Sequence, residues 1–423
     1  MFSILRSTPL AVLLVLAAAA PASGQSQVVS TTDIRPAAED LAAVGGIHAH
    51  VNFGAAVALS GSTAAIGIPH DVEEQSLPGP GRVGIYNKTK AGWIRTATLL
   101  PSNPSDMSLG RDVDLCGNLA VVAAERSVYA FQRRDARWHE VERIALPSPD
   151  GILGPIACSE DSFAYSVMRH DDQGQLVGKR VRVYGRKGGG RFELVANLRA
   201  SDPNDHIGRS LAMERGILVA GSDPDAAYVF VRQGHRWIER QRLQSFGPNG
   251  AGIGAAVAIR DRIIIAGAPG VDLPFENAFF GGEGDAYAYL PHRGSWFESQ
   301  SLNNPPLPFF RSSGSFGSKV AMGRRLAAVS VPFSSGDDIR PESAIIVFDR
   351  IGEEFTHARS VYGAGHDGDT IPDIDMSGRR LILSRHESLS LNDRVVGRVV
   401  IKEFERSPDP VTQTDKEEEA DTP

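Results

Sequence analysis

The chain has 423 residues, a formal net charge of −7 and 22% charged residues. A mildly acidic chain without a basic stripe excludes a nucleic-acid partner. No stretch beyond the N terminus approaches the ~20 apolar residues that a membrane-spanning helix needs, so stable membrane insertion is not expected. This length ordinarily means two or three domains, but a repeat array can occupy it as one closed body.

In chain order, residues 1–24 carry one basic residue, Arg6, an apolar run from Leu10 to Ala20, and the small-residue sites Ala20-Pro21-Ala22 and Ala22-Ser23-Gly24. That is the pattern of a secretory signal peptide. No cysteine follows the run, so a lipid anchor is not expected, and the mature protein is expected to be secreted or periplasmic.

From residue 25 to 406 the chain repeats one unit. An aromatic or aliphatic residue followed by glycine recurs at Phe53-Gly54, Leu109-Gly110, Leu153-Gly154, Ile207-Gly208, Ile253-Gly254 and Phe316-Gly317, with a degenerate seventh copy at Ile371-Pro372. Each opens a run of alternating small apolar residues, then a tight turn such as Ser60-Gly61 or Arg260-Asp261, then a second apolar run such as Ile263-Ile264-Ile265-Ala266-Gly267. A third run carries aromatics, as in Tyr287-Ala288-Tyr289. All four tryptophans, Trp93, Trp138, Trp237 and Trp296, fall at the start of a fourth run, where Phe192 and Phe355 stand in two other copies. Runs rich in β-branched and aromatic residues between turn signals predict four-stranded antiparallel units. Seven such units predict an all-β, seven-bladed β-propeller. A β-sandwich with similar strands would not place four rare tryptophans in one register.

The seventh copy ends on its third run, Arg398 to Phe404. Residues 26–33 precede the first copy and read like the fourth strands elsewhere, so the N-terminal segment is expected to complete blade seven and close the ring. Residues 407–423, with Lys416-Glu417-Glu418-Glu419, read as a disordered acidic tail.

Phe53-Gly54 with Gly67-Ile68-Pro69, and Ile253-Gly254 with Gly267-Ala268-Pro269, resemble the FG-GAP repeats of integrin α subunits and of many bacterial exported proteins. The resemblance extends from about Val28 to Phe404 and implies a propeller that binds or adheres. Many members place a calcium loop between strands one and two. Here that connection is a tight turn in every copy, so no calcium site is carried over and no cofactor is expected.

In a propeller the connections between strands two and three emerge on the same face as those between blades. The long ones here are 71–81, 169–178, 270–284, 333–342 and 385–397. Long loops on one face of a rigid scaffold mark a binding face. Two of its segments carry Phe275, Phe279, Phe280, Phe309 and Phe310. Exposed together these form an apolar partner patch; packed on one another they pin two loops. The preferred function is an exported, non-catalytic, monomeric protein that binds a protein or glycan. The alternative is a hydrolase or lyase with a polar site at the channel mouth, drawn from His50, His70, His206, His366 and Asp369. Further residues of the same kind near that mouth are His48, His170, His386, Asp106, Asp150, Asp205 and Asp367. None forms a recognisable ligand motif, and polar loops facing water explain the same set. Gly79-Pro80-Gly81-Arg82-Val83-Gly84 has the dinucleotide spelling, but a strand rather than a helix is expected after it, so it is rejected.

The two cysteines, Cys116 and Cys158, set export against register. An oxidising compartment and an even count favour a disulfide. Aligning Leu109-Gly110 with Leu153-Gly154 gives both inner-strand cysteines the same parity, hence two buried free thiols on opposite sides of a blade unless a bulge resets one strand.

Overall fold

The structure is a computed structural model that describes residues 25–38, 40, 52–69, 79–146, 150–171, 173, 176–223, 225–244, 252–270, 284–302, 315–332, 343–362, 373–389 and 394–406. The expected signal peptide and acidic tail lie outside these residues.

Seven four-stranded antiparallel sheets form the ring, each with its strands in sequence order except the last. That one runs Ser26–Ile34, Arg394–Arg406, Arg380–Leu389, Ile374–Ser377, so the N-terminal segment is its outermost strand. Ser26 pairs with Arg406 and Ile34 with Val399, and the two ends of the propeller are joined by backbone hydrogen bonds along the whole strand. Asp349 of blade six fixes this strand, accepting from the Ser26 N–H at 2.7 Å and from its hydroxyl at 2.6 Å. The seven-bladed β-propeller expected from the repeats is therefore the fold.

Seven hydrophobic clusters correspond to the seven blade interfaces. A single sheet buries only one face against each neighbour, and the alternating runs supply both faces. In blade five, for example, Val257 and Ile259 face blade four while Ala256 and Ala258 face blade six. The tryptophans sit at the outer strands as expected. Trp296 is buried, and its indole N–H donates to the Arg262 carbonyl at 2.6 Å.

The glycine signatures have one physical cause. Gly317 adopts φ +94°, and its carbonyl points at Gly267 in strand two of the preceding blade. A Cβ on Gly267 would lie 1.9 Å from that oxygen. The same contact joins Gly254 to Gly221 of the preceding blade, where an added Cβ would also lie 1.9 Å from the carbonyl oxygen. In blades one, two, five and six the first glycine's N–H donates back to strand two, as Gly254 does to the Gly267 carbonyl at 3.0 Å. Arg82 opens a strand, Arg82–Thr89, which agrees with rejecting the dinucleotide spelling.

The cysteines correct the register argument. Cys116 and Cys158 form a disulfide between the inner strands of blades two and three, with Cα atoms 6.0 Å apart. In other blades four positions separate the opening residue from the first inner-strand residue on the same face, as in Leu109 to Val113 or Ile207 to Leu211. In blade three the facing residues are Leu153, Ile156 and Cys158, so the first step is one residue shorter. The pairing shifts there: Leu153 opposes Val167 while Ile156 opposes Tyr165, a bulge on the inner strand. That bulge inverts the parity of everything after it and turns Cys158 back toward blade two. The bridge closes a loop with a sequence separation of 42, for which the chain-entropy estimate is about 4 kcal/mol. Alkylation of the unreduced, denatured protein is expected to add no alkyl groups, and reduction is expected to lower the thermal midpoint; two added groups would show that the bridge does not form.

Candidate functional site

The seven inner strands surround a water-accessible channel of about 1240 Å³. An inner strand has no strand partner on its channel side, so its outward N–H groups need other acceptors. In blades two and seven the sequence supplies them as Asp112-Val113-Asp114 and Asp373-Ile374-Asp375. The equivalent positions in blades one and five are Ala56 and Ala58, and Ala256 and Ala258. Each aspartate reaches into the next blade. Asp112 Oδ2 accepts from the Ile156 N–H at 2.8 Å and Asp114 Oδ2 from the Cys158 N–H at 2.6 Å. Asp373 Oδ2 accepts from Val57 at 2.9 Å and Asp375 Oδ2 from Leu59 at 2.6 Å.

These four carboxyls are held above the ordinary carboxylate range. Their position deep in the ring raises Asp112 to about 7, with the charge of Asp373 adding and the Ile156 N–H opposing. Asp375 is pushed up to about 8 by the same desolvation and by the charge of Asp114. Asp114 rises to about 6 for want of solvation, with the Cys158 and Leu115 N–H groups pulling it back. Asp373 also rises through desolvation, tempered by Lys319, whose Nζ lies 3.8 Å from its Oδ1. Asp112, Asp114 and Asp375, on the two sides of blade one, thus change ionisation near neutrality and can take up or release protons at the channel wall.

Of the residues proposed from the sequence for a channel-mouth site, His50, His70, His366 and Asp369 lie outside the described residues, as do Phe275, Phe279, Phe280, Phe309 and Phe310, and also His48 and Asp367. His206 opens the inner strand of blade four, His206–Glu214. Asp205 beside it is committed elsewhere. Its Oδ2 accepts from the Tyr228 hydroxyl at 2.6 Å and from Arg242 Nε at 2.8 Å, and those bonds outweigh its burial and lower its pKa. Asp106 repeats the arrangement in blade two, bonded to the Tyr129 hydroxyl and to Arg143 Nε at 2.8 Å. Burial is again outweighed by these bonds, and Asp106 falls to about 2. Both aspartates tie the entry to a blade onto its outer two strands, which makes them structural. His170 and His386 lie in second strands and Asp150 at the start of an inner one.

Sequence reasoning passed over the channel aspartates because it searched the loops. The available signal was a carboxylate at two inner-strand positions where blades one and five carry alanine. Among the described residues, the one group of metal-ligand type with mutually close donor atoms is Asp114, Cys116 and Cys158, and its two sulfurs are spent on the disulfide.

No protein-family model and no curated protein matches this chain. Among solved structures it is similar to Sqt1 of Saccharomyces cerevisiae, at 9% identity and a TM-score of 0.44, over 88% of this chain and 87% of that one. The assignment as a propeller rests on the strand order itself.

The raised carboxyls make stability fall as pH rises. The folded state binds these protons more tightly than the unfolded chain, so their contribution is complete below about pH 4, the unfolded value, and is lost progressively up to about pH 8. Channel water screens the magnitude. Asp375→Asn keeps an oxygen to accept from Leu59 and cannot ionise. Its thermal midpoint relative to the parent is expected to increase between pH 5 and pH 8; a difference that stays flat, or reverses, would contradict the assignment.

Proposed function

We propose that this chain is an exported, FG-GAP-like propeller that binds a protein or glycan partner, without catalysis, through its long-loop face. The observation that carries the reading is the asymmetry of the connections. Strands one and two are joined by 61–62, 117–118, 160–161, 215–216, 261–262, 323–325 and 378–379, turns of two or three residues. Strands two and three, at the opposite end of the blades, are joined in blades one, five and six by 69–81, 269–284 and 333–342, whereas the long connections expected at 169–178 and 385–397 are shortened to 171–175 and 390–393 because the flanking strands extend into them. A rigid ring that keeps one face minimal and extends the other presents the extended one for recognition.

A second observation supports where on that face the partner sits. Gly284 forms a parallel bridge with Phe316. Gly284 ends the segment that carries Phe275, Phe279 and Phe280, and Phe316 follows the one that carries Phe309 and Phe310. The bridge therefore joins Gly284 and Phe316, the described residues at which these two segments end. Their sequence spacing suits an apolar anchor, the kind of group that dominates recognition of proteins and of sugar faces.

Export is supported by the apolar N-terminal run and by the disulfide, a bond that persists in oxidising compartments. The short turns between strands one and two leave no room for the family's calcium cage, so the reading invokes no metal, and the partner is bound by the monomer.

Replacing Phe279, Phe280, Phe309 and Phe310 by Ser tests it. Screened on glycan arrays and against immobilised extracellular proteins, the parent is expected to retain a ligand that the fourfold variant loses, with the thermal midpoint unchanged. Equal retention by both would contradict the reading, and a variant that unfolds would show that the rings pack on one another instead.

A further inference from the structure

We propose that a hollow on the opposite, short-turn face binds a doubly charged tetrahedral oxyanion, a phosphate or sulfate group. The hollow measures about 550 Å³ and lies where the turns of blades five, six and seven meet. Four guanidinium groups, Arg324, Arg325, Arg350 and Arg379, and two carboxylates, Asp261 and Asp349, line it.

Their partners decide how much of this charge is already compensated. Both oxygens of Asp349 are occupied by Ser26, through its N–H at 2.7 Å and its hydroxyl at 2.6 Å. Asp261 stands 3.7 Å from Arg350, a contact looser than a hydrogen bond. Arg350 Nε donates to the Gly352 carbonyl at 3.1 Å, and Arg379 Nε donates to the Phe404 carbonyl at 3.1 Å. A second Arg379 nitrogen donates to the Ser26 hydroxyl. Carbonyl and hydroxyl partners orient these two guanidinium groups without neutralising them, and the two carboxylates, Asp261 paired loosely with Arg350 and Asp349 bonded only to the uncharged Ser26, offset part of the charge and leave the four arginines in excess. Arg324 and Arg325 are adjacent on the turn between the inner two strands of blade six. Both are exposed, and neither has an acidic partner among the described residues. The hollow is thus a preformed positive site, with two cations fixed by the backbone and two more at its rim.

Guanidinium is the group suited to a tetrahedral oxyanion, because its planar fork donates two parallel hydrogen bonds and its charge is permanent. A phosphate or sulfate offers enough oxygens to engage several forks at once, whereas chloride has no such directional acceptors. Blade six is the one blade whose turn between strands one and two carries two arginines; blades four, five and seven carry one each there, Arg215, Arg262 and Arg379. The equivalent turns in blades one, two and three carry Gly61-Ser62, Gly117-Asn118 and Glu160-Asp161.

Titration calorimetry of the full chain with inorganic phosphate and with inorganic sulfate, at ionic strength held constant with chloride, tests the site. Both anions are expected to bind saturably, and Arg324→Ser/Arg325→Ser is expected to weaken binding at least about tenfold without moving the thermal midpoint. Arg324→Lys/Arg325→Lys, which keeps the charge and removes the fork, is expected to fall between the two. The fourfold phenylalanine variant is expected to bind the anions like the parent, which separates this site from the loop face. No saturable heat with either anion, or a serine variant that binds as tightly as the parent, would overturn the proposal.

Discussion

The close approach of two glycines across each of several blade interfaces is the constraint on which the ring depends. A carbonyl at the opening of one blade faces the Cα of a glycine in strand two of the blade before it, with no room for a Cβ between them. This contact sets how near the inner ends of neighbouring sheets can come, and therefore how the hydrophobic faces farther out interdigitate. At the seam the role passes to Gly397, where an added Cβ would lie 1.7 Å from the Phe53 carbonyl oxygen. The closing interface is built on the same principle as the internal ones.

Polar ties then reinforce what the glycines position. Gln241 clasps the backbone of Trp296, donating to its carbonyl at 2.6 Å and accepting from its N–H at 2.7 Å. Gln300 does the same to Phe355 in the next blade, at 2.7 and 2.9 Å. At the inner rim the four channel aspartates accept from the next blade's N–H groups. Where blades one and seven meet, Lys88 pairs with Glu403 at 2.6 Å. Blades two and three add the disulfide. A ring held at its inner and outer radii is a stiff platform, and stiffness lets surface loops keep a defined arrangement at small entropic cost.

The architecture was legible because propeller blades are specified locally. The Phe-Gly openings, the alternating runs and the tryptophans at Trp93, Trp138, Trp237 and Trp296 each report a strand through its own neighbours. The missing fourth strand of the last copy was enough to place Ser26–Ile34 in blade seven. The disulfide was missed for the complementary reason. Parity arguments hold only while every step has the same length, and the shortened step from Leu153 to Ile156 is visible only in the strand pairing. The channel carboxyls were hidden in plain apolar runs. Asp112 and Asp373 lie far apart in sequence, and only ring closure brings blades two and seven to either side of blade one. Asp106 and Asp205 looked like site residues because they precede inner strands, yet each is bound to a tyrosine and an arginine of its own blade.

The glycine contact can be tested without confounding backbone effects. Gly267 has no positive φ, so an alanine there suits the backbone, and its nearest obstacle is the Gly317 carbonyl oxygen at 1.9 Å. Gly188 also lacks a positive φ and has open space around its Cβ position. Equilibrium unfolding of Gly267→Ala beside Gly188→Ala is expected to show a loss of about 3 kcal/mol or more for the first and a change within about 0.5 kcal/mol for the second. Equal stability of the two variants would contradict the claim that this approach governs the ring.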